Sequence, residues 1–123
     1  MIMRTEVWET IGELGLPGSA FKMLTHLVSK KQKPGGVIED SQQDLAEELG
    51  MHPNVVSRAM RSLTAANVVL RPGRYTYRLH PFVAGYQNET EMNEAIAQAL
   101  EDIENGELQM ISVPRKRHLA AVS

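Results

Sequence analysis

The stretch from Ser41 to Leu79, SQQDLAEELGMHPNVVSRAMRSLTAANVVLRPGRYTYRL, decides how this chain folds. Its first half reads as two short helices broken at Gly50. Ser41 stands where an N-cap is wanted and Asp44 at the N3 position of a loose capping box, with Leu45, Ala46 and Leu49 facing inward. Gly50 supplies the left-handed residue that ends this helix, and Met51 is placed to plug the turn into the core. Pro53 suits the first turn of the next helix, since its missing N–H would have been unpaired anyway. Val56, Met60 and Leu63 then recur at the spacing of one buried face, which leaves Asn54, Val55, Arg58, Arg61 and Ser62 outward. In the second half, Val68-Val69-Leu70 and Tyr75-Thr76-Tyr77-Arg78-Leu79 are β-rich runs joined by Arg71-Pro72-Gly73-Arg74 as a hairpin, and His80-Pro81 ends the sheet.

Working outward, residues 5–14 place Val7, Trp8, Ile11 and Leu14 at near-helical spacing, ending at Gly15. Pro17-Gly18-Ser19 opens a second helix over 18–32, with Ser19 as N-cap and Phe21, Leu24, Leu27 and Val28 on its buried face. Lys30, Lys31 and Lys33 follow at its C-terminal end, and Pro34-Gly35-Gly36 stops it; Val37-Ile38 is a stub of strand. Helices are also expected over 42–49, 53–66 and 89–105, with the hairpin at 68–79. The expected core is Phe21, Leu24, Leu27, Leu45, Leu49, Val56, Met60, Leu63, Val69 and Leu79. The fold class is mainly α with a small β-hairpin (α+β), a winged helix-turn-helix with an added C-terminal helix. The domain boundaries read as 1–88 for the winged domain with its N-terminal helix, 89–107 for an acidic amphipathic helix, and 108–123 for a basic flexible tail.

The chain of 123 residues is long enough for one core without metal or disulfide staples, and it has no cysteine. No run approaches the roughly 18 apolar residues of a membrane span, and Met1-Ile2-Met3-Arg4 has no apolar signal core after it. The expectation is a cytoplasmic, bacterial protein associated with nucleoid or plasmid.

The net charge of −2 hides a segregated distribution. Four lysines fall in 22–36, and five arginines (58, 61, 71, 74, 78) fall in 53–82, where no acidic residue occurs. Seven carboxylates and no Lys or Arg occupy 87–109, and Arg115-Lys116-Arg117 follows. A positive surface built on helix, turn, helix and hairpin is what a duplex DNA backbone attracts, whatever the total charge. Arg58 and Arg61 share one face of the presumed recognition helix, and arginine can bond guanine O6 and N7 with both arms. Asn54 fits either pairing with adenine or capping the helix. The tyrosines at 75, 77 and 86 fit packing better than base stacking.

Catalysis finds no purchase in these residues. His26, His52, His80 and His118 have no metal-ligand spacing, and Pro34-Gly35-Gly36 lacks the lysine and serine of a phosphate loop. The expectation is no enzyme, no metal and no cofactor.

The run DLAEELGMHPNVVSRAMRSLTAANVVL resembles the helix-turn-helix of bacterial winged-helix regulators of the MarR and GntR type, and RYTYRLHPFVAG after the hairpin is similar to the RepL-like plasmid replication and maintenance proteins. The resemblance implies that His52, Pro53, Asn54, Val55, Ser57 and Arg58 lie nearest the DNA groove. It makes Arg61 a base or backbone contact and puts Arg71 and Arg74 at the wing tip, on phosphate or minor groove. Pro53 departs from the pattern, since such helices often carry a polar, base-reading side chain there. The functional expectation is sequence-specific binding of double-stranded DNA as a transcriptional regulator. Plasmid replication or partition, and a winged-helix protein–protein adaptor that never touches DNA, are the alternatives. The stripe Met92, Ile96, Leu100 and Ile103 has no evident place in the winged core, so it is expected to pack with Trp8, Ile11 and Leu14 of a second copy in a homodimer. Docking of 89–105 onto 5–14 within one chain is its alternative. The sequence names no small-molecule effector.

Overall fold

The computed structural model describes residues 5–29, 36–73 and 76–112. In chain order the elements are α1 (Thr5–Gly12), α2 (Gly18–Ser29), β1 (Val37–Ile38), α3 (Gln42–Leu49), α4 (Pro53–Ala65), β2 (Val69–Gly73), β3 (Thr76–Leu79) and α5 (Glu89–Glu104). The three strands form one antiparallel sheet in the order β1-β3-β2. This is a winged helix-turn-helix: α3 and α4 are the helical pair, and β2 and β3 are the wing.

Local chemistry sets most of the boundaries. The Asp44 N–H donates to Ser41 Oγ at 3.1 Å and the Ser41 N–H donates to Asp44 Oδ2 at 3.3 Å, so the capping box at the start of α3 is complete. Three helices end alike, each with a left-handed residue: Gly50 (φ 64°) after α3, Asn67 (φ 62°) after α4 and Gly106 (φ 79°) after α5. In each case the next N–H turns back to a carbonyl five residues earlier: Met51 to Ala46, Val68 to Leu63 and Glu107 to Asp102.

The α2 helix enters differently from the expected capping. The N–H groups of Ala20 and Phe21 both donate to the Pro17 carbonyl, so the helix begins at Gly18 and Ser19 lies inside it rather than capping it. Its buried face is Ala20, Met23, Leu24, Leu27 and Val28. Phe21 sits off that face, 40% exposed, and meets Trp8 of α1 edge to face with ring centroids 6.3 Å apart. The face takes a small alanine because α4 crosses close by and presents Val56, Ala59, Met60 and Leu63. Leu49 is half-buried against this core rather than within it.

The wing strand also runs further than the pattern implied. β2 continues through Arg71 and Pro72 to Gly73, and its pairing with β3 slips between Leu70 and Gly73. Pro72 has no N–H to give the ladder, and a bulge is where a strand tolerates that loss. Arg74 and Tyr75 lie outside the described residues, as do Lys30, Lys31 and Lys33.

The stripe on α5 requires a correction. Ile96 and Ala99 are buried with Phe82 and Leu108 of the same chain, and Met92, Ile103, Leu70 and Val7 pack around them. Ile11 is likewise consumed by its own core, at 1% exposure, with Trp8 and Leu14 packed against it. Three of the four stripe residues therefore have intramolecular partners, and only Leu100, 53% exposed, is left uncovered. The reason is the turn at 80–84, whose Phe82 projects an apolar surface that a helix pattern cannot show.

The chain from 108 to 112 is part of the fold and not of a tail. Leu108 is buried, the Ser112 N–H donates to the Ala66 carbonyl at 3.0 Å, and Asn67 Nδ2 donates to the Met110 carbonyl at 3.1 Å. Residues 113–123, the rest of the expected tail, lie outside the described residues.

Buried His80 joins these parts. Its Nδ1 accepts the Phe82 N–H at 3.1 Å, so Nε2 carries the proton and donates to the Gln109 carbonyl at 2.9 Å. Burial pushes the imidazole below its usual pKa of 6.5; the Gln109 hydrogen bond opposes that shift and the Arg78 charge adds to it. A depressed histidine stabilises the fold fully above the unfolded pKa. Below about pH 6.5 the unfolded chain binds the extra proton, so stability is lost as the pH falls towards the folded value. Urea midpoints taken between about pH 7.5 and about pH 5 should therefore fall more steeply for the wild type than for His80→Gln. Equal slopes would show that this ring contributes nothing to acid sensitivity.

Candidate nucleic-acid interface

The exposed side of α4 is built by the residues that its buried side cannot use. With Val56, Ala59, Met60 and Leu63 inside, the 100° step per residue puts Asn54, Arg58 and Arg61 in solvent. Val55, Ser57 and Ser62 flank them, each half-buried. Asn54, Ser57, Arg58 and Arg61 line one open depression of about 330 Å³. Val55, Arg58, Arg61 and Ser62 line a second, of about 370 Å³, together with Pro17 and Ser19. Arg58 and Arg61 are common to both, and no carboxylate lines either one.

The expected site residues fall into two groups. His52, Pro53, Asn54, Val55, Ser57, Arg58 and Arg61 are gathered along α4 and its entrance. His52 is itself the N-cap: its Nδ1 accepts the Asn54 N–H at 3.0 Å, which leaves Nε2 as the ring's donor. The capping role considered for the Asn54 side chain is thus taken by His52. The wing holds the second group. Arg71 is exposed on β2 with its guanidinium 5.4 Å from the centre of the Tyr77 ring, a cation–π contact within the hairpin. Arg74, the other expected wing residue, lies outside the described residues.

Side-chain hydrogen bonds brace the elements around α4. Tyr77 is buried, and its hydroxyl accepts from Gln42 Nε2 at 2.9 Å, tying α3 to the sheet. His26 Nε2 and Glu48 Oε1, 2.8 Å apart, link α2 to α3. Tyr86 donates its hydroxyl to the Pro81 carbonyl at 2.7 Å, and burial raises its pKa, with Arg78 opposing the shift and Glu91 adding to it. The packing role expected for tyrosine is what these two residues perform.

Sequence reasoning did not place Pro17 and Ser19 beside the arginines. No local signal could, because the start of α2 reaches that position only by packing against α4. Among the described residues no cluster of His, Cys, Asp or Glu could hold a metal ion, and no helix is long and apolar enough to cross a membrane.

Comparison with known families reaches the same region. Residues 22–80 match the Crp-like helix-turn-helix domain, just under half of the chain, running from the first turns of α2 to the end of the wing. The match supports a DNA-binding helix-turn-helix. It is to the Crp-like type, and the MarR, GntR and RepL-like resemblances gain nothing from it. No curated protein and no solved structure matches the chain.

Proposed function

We propose that this protein binds double-stranded DNA sequence-specifically, with α4 in the major groove and the wing on the backbone or minor groove, and that it acts as a transcriptional regulator. The observation that carries the reading is the outer face of α4. Arg58 and Arg61 stand side by side there with Asn54 and Ser57, and no acidic side chain lines the surface they form. An α-helix fits the roughly 12 Å width of the major groove, and arginine and asparagine are the side chains that read guanine and adenine edges. His52 Nε2–H and the wing residue Arg71 supply further donors at the flanks, where phosphates pass.

None of the acidic residues of α5 lines this face. Exposed Glu89, Glu91, Glu94, Glu101 and Glu104 all lie on α5, which is docked on Phe82. A single winged helix covers few base pairs, so the reading extends to two copies on a two-fold site, with Leu100 as the apolar contact that α5 still offers. Light scattering of the wild type beside Leu100→Asp tests that extension: a monomeric wild type, or a mutant that stays dimeric, removes it.

The main test is selection from a pool of random duplexes, followed by binding of the winning sequence across a range of salt concentrations. Enrichment of a defined motif with a steep salt dependence is expected. Failure to retain any duplex would pass the surface to the adaptor reading, in which a winged helix serves protein assembly.

A further inference from the structure

The depression shared by α2 and α4 lies to one side of the base-reading face. With Asn54 as reference, the 100° step places Arg58 about 40° round α4, and Ser62 and Val55 about 80–100° round, on the side away from Ser57. Val55 and Ser62 therefore stand on a flank of the helix, and Pro17 and Ser19 complete the opening of about 370 Å³ that they line. Arg58 and Arg61 reach this opening as well as the outer face. Its hydroxyls are uncommitted. Thr64 turns its hydroxyl onto the Arg61 carbonyl, and Thr25 and Ser29 donate to carbonyls of α2. Among the described residues, neither the hydroxyls of Ser19 and Ser62 nor the guanidinium groups of Arg58 and Arg61 have such a partner, whereas Arg71 lies against Tyr77.

We propose that this depression seats one phosphate of the DNA backbone, with the Ser19 and Ser62 hydroxyls donating to its oxygens beneath the Arg58 and Arg61 guanidinium groups. The proposal rests on the DNA-binding reading above and adds the start of α2 to the contact surface, as the part that fixes the register of α4 in the groove.

The lining suits a phosphodiester. Hydroxyls and guanidinium groups donate, the ionised phosphate offers acceptor oxygens, and no carboxylate lines the opening. The Pro17 carbonyl is an acceptor that would oppose an anion, but it already takes the N–H groups of Ala20 and Phe21. Space is sufficient, since the opening would hold roughly a dozen waters at about 30 Å³ each. The placement suits a duplex as well. A helix lying in a groove roughly 12 Å wide has phosphates along both walls, so donors on its flank meet backbone rather than base edges. Such contacts carry no sequence information and set position instead. Ser19 belongs to α2 and Ser62 to α4, and these helices are locked together through fully buried Leu24, Leu27 and Leu63. A phosphate held by both serines is therefore held by a rigid pair, which fixes where Asn54 and Arg58 fall along the bases.

Ser19 does not cap α2, so replacing it leaves the helix start intact. The full chain carrying Ser19→Ala should bind the selected duplex and a scrambled one about tenfold more weakly, with its preference between them retained, because a hydrogen bond to a charged group is lost. Ser19→Glu sets a carboxylate in the depression and should weaken both duplexes about a hundredfold. Thr25→Glu adds the same charge about 240° round α2 and should stay within a few-fold of the wild type. Neutral methylphosphonates placed one at a time along the selected duplex locate the seat. One position should cost the wild type about tenfold and cost Ser19→Ala little, since the phosphate and the hydroxyl act as a pair. If Ser19→Ala matches the wild type at every position while Arg58→Ala loses discrimination, the depression seats no phosphate and the proposal is overturned. A changed preference in Ser19→Ala, or equal losses in Ser19→Glu and Thr25→Glu, overturns it too. If the wild type itself retains no duplex, the DNA-binding reading fails and the seat with it.

Discussion

Leu63→Ala should lower the unfolding free energy by about 2–5 kcal/mol, the range for emptying a packed leucine site. Leu63 is fully buried in α4, among α2 residues that are themselves fully buried, such as Leu24 and Leu27. Backbone hydrogen bonds limit collapse around the cavity, because the Leu63 carbonyl also receives the Val68 N–H that turns the chain into β2. The loss should appear as a lower urea midpoint with an unchanged slope, since the folded and unfolded surfaces barely differ. Phe21→Ala makes the control. Phe21 is larger, but it is 40% exposed and touches Trp8 at the edge of the core, so its removal should cost less. If Phe21→Ala proved the more damaging of the two, the faces assigned to α2 and α4 would be wrong.

Arg58→Ala should cost about 1–3 kcal/mol of discrimination, narrowing the ratio between selected and random duplex by roughly 5- to 150-fold. The argument is geometric. Arg58 is exposed, lines both depressions on the outer side of α4, and sits one turn from Asn54 and from Arg61. A bidentate guanidinium–guanine pair is lost with either alanine or lysine, so Arg58→Lys should recover affinity for all duplexes while leaving the preference impaired. Competition binding with both duplexes at one fixed salt concentration reads this directly. Wild-type discrimination in Arg58→Ala would remove Arg58 from the reading residues and leave it as a solvated surface charge.

The parts of this fold that were legible in the sequence are those governed by neighbours along the chain. Ser41 with Asp44, Gly50 and Pro53 each answer a local demand of the backbone, and each occupies the position expected of it. The buried face of α4 was legible for a related reason: Val56, Met60 and Leu63 have no second register in which all three could be covered. Phe21 was misplaced because α2 offers two apolar faces one residue apart, one containing Phe21 and the other Ala20 and Met23. The choice between them depends on how closely α4 approaches, which is a property of the pair.

The same division applies to the site and to what surrounds it. The sequence determined by itself that arginines would gather on the outer face of α4 and that a hairpin would follow, because helical periodicity and turn chemistry act over a few residues. Only the tertiary structure decided that Pro17 and Ser19 stand beside the arginines and that Arg71 lies over Tyr77. It also decided the fate of α5. An amphipathic stripe states that apolar surface must be covered but carries no information about the cover, and here Phe82, Leu108 and Val7 of the same chain provide it. His80 shows the limit most clearly. A histidine between a strand and a proline reads as the end of the sheet, and it is a buried hydrogen-bonding post because residues 109–112, some thirty positions later, fold back to meet it. Burial is a relation between distant segments, and a pattern confined to one segment cannot contain it.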